Sequence, residues 1–271
     1  MTPGSPSYFH YHASAQAFSG RFTRPFDEHI DVQAATSLPV TGGHGSARTE
    51  NFRFHEFLSF KRAYSHVSGG FQDSDDSNNT LVTSVVEGLN MMDILTIDRV
   101  VCRLYSKHLK DAAEGNITMH GSKFENVSIC GQPVEIDLDF VLFEGLQTFN
   151  KAQDAFKSNR KFTKIAQDPL QSGEILLEQK CHGAFLCSLV KDGGLKVTVQ
   201  DGDASVAHPA VTSAGHSIYI PGFGKVYFAE VFMTHGQRTL TMLRFELGST
   251  TKAEGVAAAG TTNGRNFPPP G

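Results

Sequence analysis

The 271-residue chain reads as an all-β protein built from repeated strand-turn-strand units. A self-match carries that reading. At an offset of 37 residues, Glu50–Ser68 (ENFRFHEFLSFKRAYSHVS) aligns with Glu87–Tyr105 (EGLNMMDILTIDRVVCRLY). Phe52, Phe54, Leu58, Phe60, Ala63 and Val67 meet Leu89, Met91, Leu95, Ile97, Val100 and Leu104, and Glu50, Leu58 and Arg62 meet identical residues. A third copy of the opening beat, Glu125–Ile129 (ENVSI), follows 38 residues after EGLNM. Internal periods of this size mark one supersecondary unit used several times. Within the units, apolar and polar residues alternate with period two, as in half-buried strands. Stacking such units predicts a solenoid-like β-helix body with one helix near 148–166 along its side. The alternative is a two-sheet β-sandwich, which hairpins of the same period fill equally well.

In order along the chain, residues 1–45 read as an extended N-terminal segment, with Pro3, Pro6, Pro25 and Pro39 and the Gly42-Gly43 turn. Tyr8–Phe18 and His29–Ala35 are its strand-like stretches. Residues 46–262 form a single β-rich domain. In its first unit, His55-Glu56 interrupts the beat between strands ending near Phe54 and beginning near Phe57. Gly69–Asn79 is a polar connection, and Thr80–Tyr105 repeats the scheme with β-branched residues that favour pleated structure. Thr148–Ala166 is the clear helix, with Phe149, Ala152, Phe156 and Ile165-Ala166 at helical spacing. Asp168-Pro169 should end it, because the residue before proline avoids the helical region. Short strands follow at Ile175–Gln179, Ala184–Lys191, Leu195–Gln200, Ser217–Ile220, Lys225–Thr234, Thr239–Leu247 and Val256–Thr262. Asp192-Gly193-Gly194 signals a hairpin turn, and residues 263–271 a flexible tail.

Composition narrows the function classes. The chain has 21 Phe and no Trp, so aromatic burial relies on rings that need no hydrogen-bond partner. A net charge of −4 with evenly spread basic residues argues against nucleic acid as a partner. The apolar runs fall short of the ~20 residues of a membrane helix, and the first fifteen residues show no export signal. Cys102, Cys130, Cys181 and Cys187 lack zinc spacing and read as small hydrophobes. No nucleophile elbow, phosphate loop or dinucleotide fingerprint is present, and no catalytic residue is assigned.

Three constellations remain. Glu135, Asp137 and Asp139 share one strand face, where paired carboxylates suit glycan binding or glycosidic cleavage; the plainer reading is a solvated face. Asp73, Asp75 and Asp76 give a loop with some character of a calcium site. Asn78 and Ser84 stand where a helix-loop-helix site needs glycine and glutamate, so calcium there would be weak, and no other cofactor is expected. His10 and His12 share a face, with His29, His44, His55 and His66 close behind, but no third ligand is named by spacing.

Four stretches, LPVTGG (38–43), TSVVEGLNMMDILTIDRVVCRL (83–104), GSKFENVSICGQPV (121–134) and the weaker LTMLRFELGSTTKAEGVAAAGTTNG (240–264), resemble bacterial choice-of-anchor P proteins, β-rich and secreted or surface-bound. The resemblance implies a secreted or cell-surface structural role and carries no catalytic residues. The chain departs from that pattern in its unsignalled N-terminus, in the extra helix, and in LPVTGG, which reads as an interior turn rather than a sorting signal. The functional expectation is a non-catalytic structural protein of a surface or matrix assembly. It would form a homo-oligomer or filament through strand edges or its N-terminal segment. A carbohydrate-binding or glycan-cleaving protein is the alternative.

Overall fold

The computed structural model describes residues 8–171, 184–198, 211–248 and 251–267. The N-terminal strands are β1 (Tyr8–His10), β2 (Ala13–Arg24), β3 (Glu28–Gln33) and β4 (Thr36–Ser37). The repeat region holds β5 (Gly43–Phe54), β6 (Leu58–Gln72), β7 (Ser77–Met91), β8 (Leu95–Leu109), β9 (Asn116–Thr118), β10 (Lys123–Ile129) and β11 (Gln132–Leu138). Helices α1 (Phe140–Glu144), α2 (Phe149–Ser158) and α3 (Arg160–Gln171) come next. The C-terminal part comprises β12 (Ala184–Ser188), β13 (Val190–Val197), β14 (Thr212–Ala214), β15 (Ser217–Ile220) and β16 (Gly224–Thr234). It closes with β17 (Gln237–Gly248), β18 (Lys252–Asn263) and β19 (Arg265–Phe267).

Two antiparallel sheets face each other. One runs β13-β11-β10-β8-β7-β6-β5 with β9 beside β8; the other runs β14-β15-β16-β17-β18-β2-β3, with β12 beside β16 and β4 beside β2. Between them Phe18 packs on Phe60 and Phe245, and Phe124 on Phe228. Thr80 and Thr262 hydrogen-bond across the gap at 2.7 Å. The all-β expectation holds, and the arrangement fits the sandwich alternative rather than the solenoid.

The reason lies in the turns. His55 (φ 49°), Met92-Asp93 (both φ 54°) and Cys130-Gly131 (φ 51° and 77°) adopt the left-handed conformation that tight hairpins use. Each strand therefore folds back beside its predecessor instead of advancing to a new coil. The turns are tied in series: Met92 N–H donates to the Phe57 carbonyl at 3.0 Å, and Cys130 N–H to that of Ile94 at 2.7 Å. The 37-residue period is thus the spacing of neighbouring hairpins within one sheet.

The E-N and E-G beats have a structural meaning of their own. Asn51, Gly88 and Asn126, each following a glutamate, take φ of 51°, 66° and 51° on alternate strands β5, β7 and β10. At that row the inward positions advance by three residues instead of two: Phe60 to Ala63, Val86 to Leu89, Ile97 to Val100 and Phe124 to Val127. The opposite sheet makes the same step, from Phe228 to Val231, Leu240 to Leu243 and Ala15 to Phe18. There Ala229 (φ 51°, β16) and Ala258 (φ 52°, β18) hold the left-handed positions. Strands that step together keep their apolar faces on one core; a strand that failed to step would turn half its apolar set to water.

The N-terminal segment is no appendage. Strand β2 lies between β18 and β3, and its Ala13, Ala15, Ala17, Phe18 and Phe22 are buried. Strand β1 pairs with β19, so the expected tail is held in a ribbon as far as Phe267. The segment LPVTGG is a turn, with Gly42 N–H donating to the Pro39 carbonyl at 2.9 Å. The expected helix is two helices, because Asn159 is extended (φ −105°, ψ 103°) while its side chain accepts from Lys161 and Phe162 N–H at the start of α3. Helix α3 runs past Asp168-Pro169 to Gln171, against the local bias. Phe149, Phe156 and Phe162 surround Phe185 of β12 at 5.2–5.9 Å between ring centres. Asp192-Gly193-Gly194 forms no hairpin. It is a bulge within β13, where Val190 to Leu195 opposes only Leu138 to Ile136. The expected strand Ile175–Gln179 lies outside the described residues.

Gly88→Ala should lower stability by about 1–2 kcal/mol, the cost of a left-handed L-residue, since its Cβ would also lie 2.8 Å from Lys61 Cγ. Gly70→Ala, with open space around it, serves as a neutral control in the same thermal melts. Removing residues 1–45 should abolish folding, because it strips an inner strand from the second sheet. A soluble remainder with native circular dichroism would refute that placement.

Candidate functional site

The repeated glutamates build a row of alternating charge across the outer face of the first sheet. Glu50, Arg62, Glu87, Arg99 and Glu125 are cross-strand neighbours on β5, β6, β7, β8 and β10. Arg62 Nε lies 2.8 Å from Glu87 Oε2, Arg99 Nε 3.5 Å from Glu87 Oε1, and Arg99 Nη1 3.9 Å from Glu125 Oε1. Arg99 also donates to the Tyr64 hydroxyl at 3.0 Å, which raises its pKa. The row ends at Glu50, which pairs with Arg48 of its own strand.

That end is an open sheet edge. Strand β5 spans twelve residues, and β6 is its one strand partner among the described residues. Its outward side chains are His44, Ser46, Arg48, Glu50 and Arg53; Gly45, Ala47, Thr49, Phe52 and Phe54 lean inward. The other sheet ends offer less. Strand β14 has three residues, β3 has six, and β13 is broken by its bulge. Long unpaired strands are templates for another strand; short or bulged ones are not.

The sequence-derived candidates fall elsewhere. Glu135 and Asp137 are exposed on β11 and line a shallow depression with Lys191, Asp192 and Lys196. Glu135 is paired in register with Lys196, and Asp137 lies 3.2 Å from Lys191 Nζ. Asp139 leaves that face and caps α1, accepting from Leu142 N–H at 2.9 Å. The three carboxylates therefore do not converge. In the acidic loop, Asp75 accepts from Ser77 at 2.6 Å and pairs with Lys107, which holds its pKa below the usual range. Asp76 lies 4.0 Å from Lys110, and Asp73 is exposed. His10 stacks on Phe267 at 5.3 Å rather than facing a ligand set. Among the described residues no three His, Cys, Asp or Glu side chains group as metal ligands. Cys102 and Cys187 are buried free thiols, and burial pushes Cys187 up to about 12; Cys181 lies outside the described residues.

Two buried charge clusters escaped sequence reasoning. Glu230 on β16 is held by Arg244 of β17 through contacts of 2.6 and 2.9 Å, and His216 Nε2 lies 3.2 Å from it. Tyr227 supports the guanidinium from below, 3.6 Å from ring centre to Cζ, and donates to Glu246 at 3.2 Å. Burial alone would raise the Glu230 pKa, but the bonds from Arg244 and His216 outweigh it and hold the carboxyl at about 2. Both its oxygens are occupied, so the arrangement is a latch between strands and not a free base. In the second cluster Arg238, 1% exposed, donates to the carbonyls of Thr234, Gln237 and Leu146, and burial lowers its pKa to about 10. Nearby Glu114 accepts from Phe149 N–H at 2.6 Å, tying α2 to the sandwich. The available signal was charge inside apolar strands, Glu230 in VYFAEVFM and Arg244 with Glu246 in LTMLRFEL.

Residues 9–180, and again 169–234, match a domain of unknown function, DUF8256. The chain belongs to that family. The DUF8256 match brings no link to choice-of-anchor P proteins. No curated protein and no solved structure matches the chain. For this DUF8256 member the described helices include none long and apolar enough to cross a membrane.

The depressed Glu230 pKa fixes a pH response. Its stabilising contribution is present above about 4.5, the ordinary value, and is lost as pH falls toward about 2; it amounts to about 3 kcal/mol. Glu230→Gln should lower stability at pH 7 by a similar amount and flatten the acid limb of a urea-denaturation series. An unchanged acid limb would mean that Glu230 is not the titrating group.

Proposed function

We propose that the chain is a non-catalytic structural module that assembles by adding strands at the β5 edge. The observation that carries this is the twelve-residue strand with one paired side, at the end of a sheet whose other boundary is bulged. Edge strands that must stay solitary are commonly guarded by proline, by bulges, by inward-pointing charge or by charged side chains, lysine above all. Strand β5 carries no proline, and its neighbouring Arg48 and Glu50 are of opposite sign, so they attract a complementary edge. Main-chain hydrogen bonds supply affinity in strand addition, and alternate side chains supply selectivity. The charge clusters described above are engaged in holding strands and helices together, which suits a rigid building block. The setting, a bacterial surface or extracellular matrix, rests on the choice-of-anchor P likeness alone. The route through a free N-terminal arm is set aside, because β2 belongs to the core.

Light scattering and negative-stain microscopy of the purified protein should show discrete oligomers. Ser46→Lys, which places a lysine on the exposed side of the edge, should disperse them without changing Tm. A monodisperse monomer across the accessible concentration range would sink the proposal.

A further inference from the structure

Resting on that reading, the geometry points to the partner and the register: a second copy of this chain, its β5 antiparallel to the first, with Ala47 facing the partner's Ala47. A two-fold axis perpendicular to a sheet brings residues of the same face opposite one another, so only registers centred on a residue are available. The stretch before left-handed Asn51 is uninterrupted, and centring on Ala47 uses His44 through Glu50 in full. On the outer face Glu50 then meets the partner's His44, and Arg48 meets the partner's Ser46. On the inner face Gly45 meets the partner's Thr49. No like charges oppose.

Neighbouring registers fail on named residues. Centring on Arg48 or Glu50 sets a charge against its own copy, and centring on Ser46 sets Arg48 against the partner's His44. Centring on Thr49 pairs Arg48 with the partner's Glu50, but it drives Ala47 onto the partner's left-handed Asn51 and opposes outward Ser46 to the partner's inward Phe52. The chosen register also continues the charge row, with the partner's His44 taking the place beyond Glu50 that Arg62 holds on the near side. Arg48 and Glu50 are 56% and 52% exposed and so available to a partner. The product is one continuous sheet across two sandwiches, closed by symmetry as a dimer.

Single cysteines read the register directly. In a background carrying Cys130→Ser and Cys181→Ser, Ala47→Cys should form a disulfide-linked dimer under oxidised glutathione. Thr49→Cys should stay single on a non-reducing gel. Ser46→Cys and Arg48→Cys should cross-link only when the two proteins are mixed. Light scattering on the same samples separates the two claims. Oligomers with an unlinked Ala47→Cys, or with a linked Thr49→Cys, overturn this register while edge assembly stands. Monomers with an unlinked Ala47→Cys overturn both.

Discussion

The sandwich depends on a backbone constraint more than on any single contact: strands in each sheet shift phase at the same row. A strand alternates its faces with period two, so one extra residue sends every later side chain to the other side. Here the extra residue recurs on neighbouring strands, and the flips cancel as a set. Left-handed residues on alternate strands make this possible, at Asn51, Gly88 and Asn126 in one sheet and Ala229 and Ala258 in the other. With the phase matched, Phe18, Phe60 and Phe245 can meet in one core. The row of glutamates and arginines lies where the shift occurs, and Asn126 there donates to Asp98 at 2.7 Å. The charges of this row pair in the same register that the apolar faces require.

Much of the first sheet was legible for the same reason. Asparagine and glycine tolerate the left-handed region, so the E-N, E-G, E-N beat exposed the row to a search for internal repeats. The boundaries at Phe54 and Phe57 followed from the break at His55-Glu56. The second sheet hid its step, since alanine gives no signal at Ala229 or Ala258. What the repeat could not reveal is how its units sit together. A periodic pattern of strands is compatible with coils stacked in parallel and with hairpins laid side by side, and the difference is decided by φ at a few turn residues. Of the left-handed pair Met92-Asp93, aspartate is a turn former by type and methionine is not, so Met92 gave no signal.

The same limits governed the sites. Glu135, Asp137 and Asp139 alternate as a strand face should, but Asp139 falls at the point where strand becomes helix and is diverted to capping Leu142. The hairpin expected at Asp192-Gly193-Gly194 became a bulge because strand β11 pairs on both sides of it. Buried ion pairs were invisible because their partners are distant in sequence: Glu230 lies fourteen residues from Arg244 and from His216. Only the folded sheet brings them opposite each other.

The location of the open edge follows from the chain's path between sheets. The turn at LPVTGG carries the chain from the small strand β4 of one sheet to β5 at the margin of the other, and every later strand of the repeat is laid down on β5's far side. The first strand of a meander has one neighbour by construction. Covering it requires a late segment to return, as β18 returns to pair with β2 in the opposite sheet. The described residues supply no such return to β5: the last strand, β19, closes on β1 instead. The sheet that received the chain's end is thereby completed around β2, and the sheet built from the repeat keeps a side that a second molecule can fill.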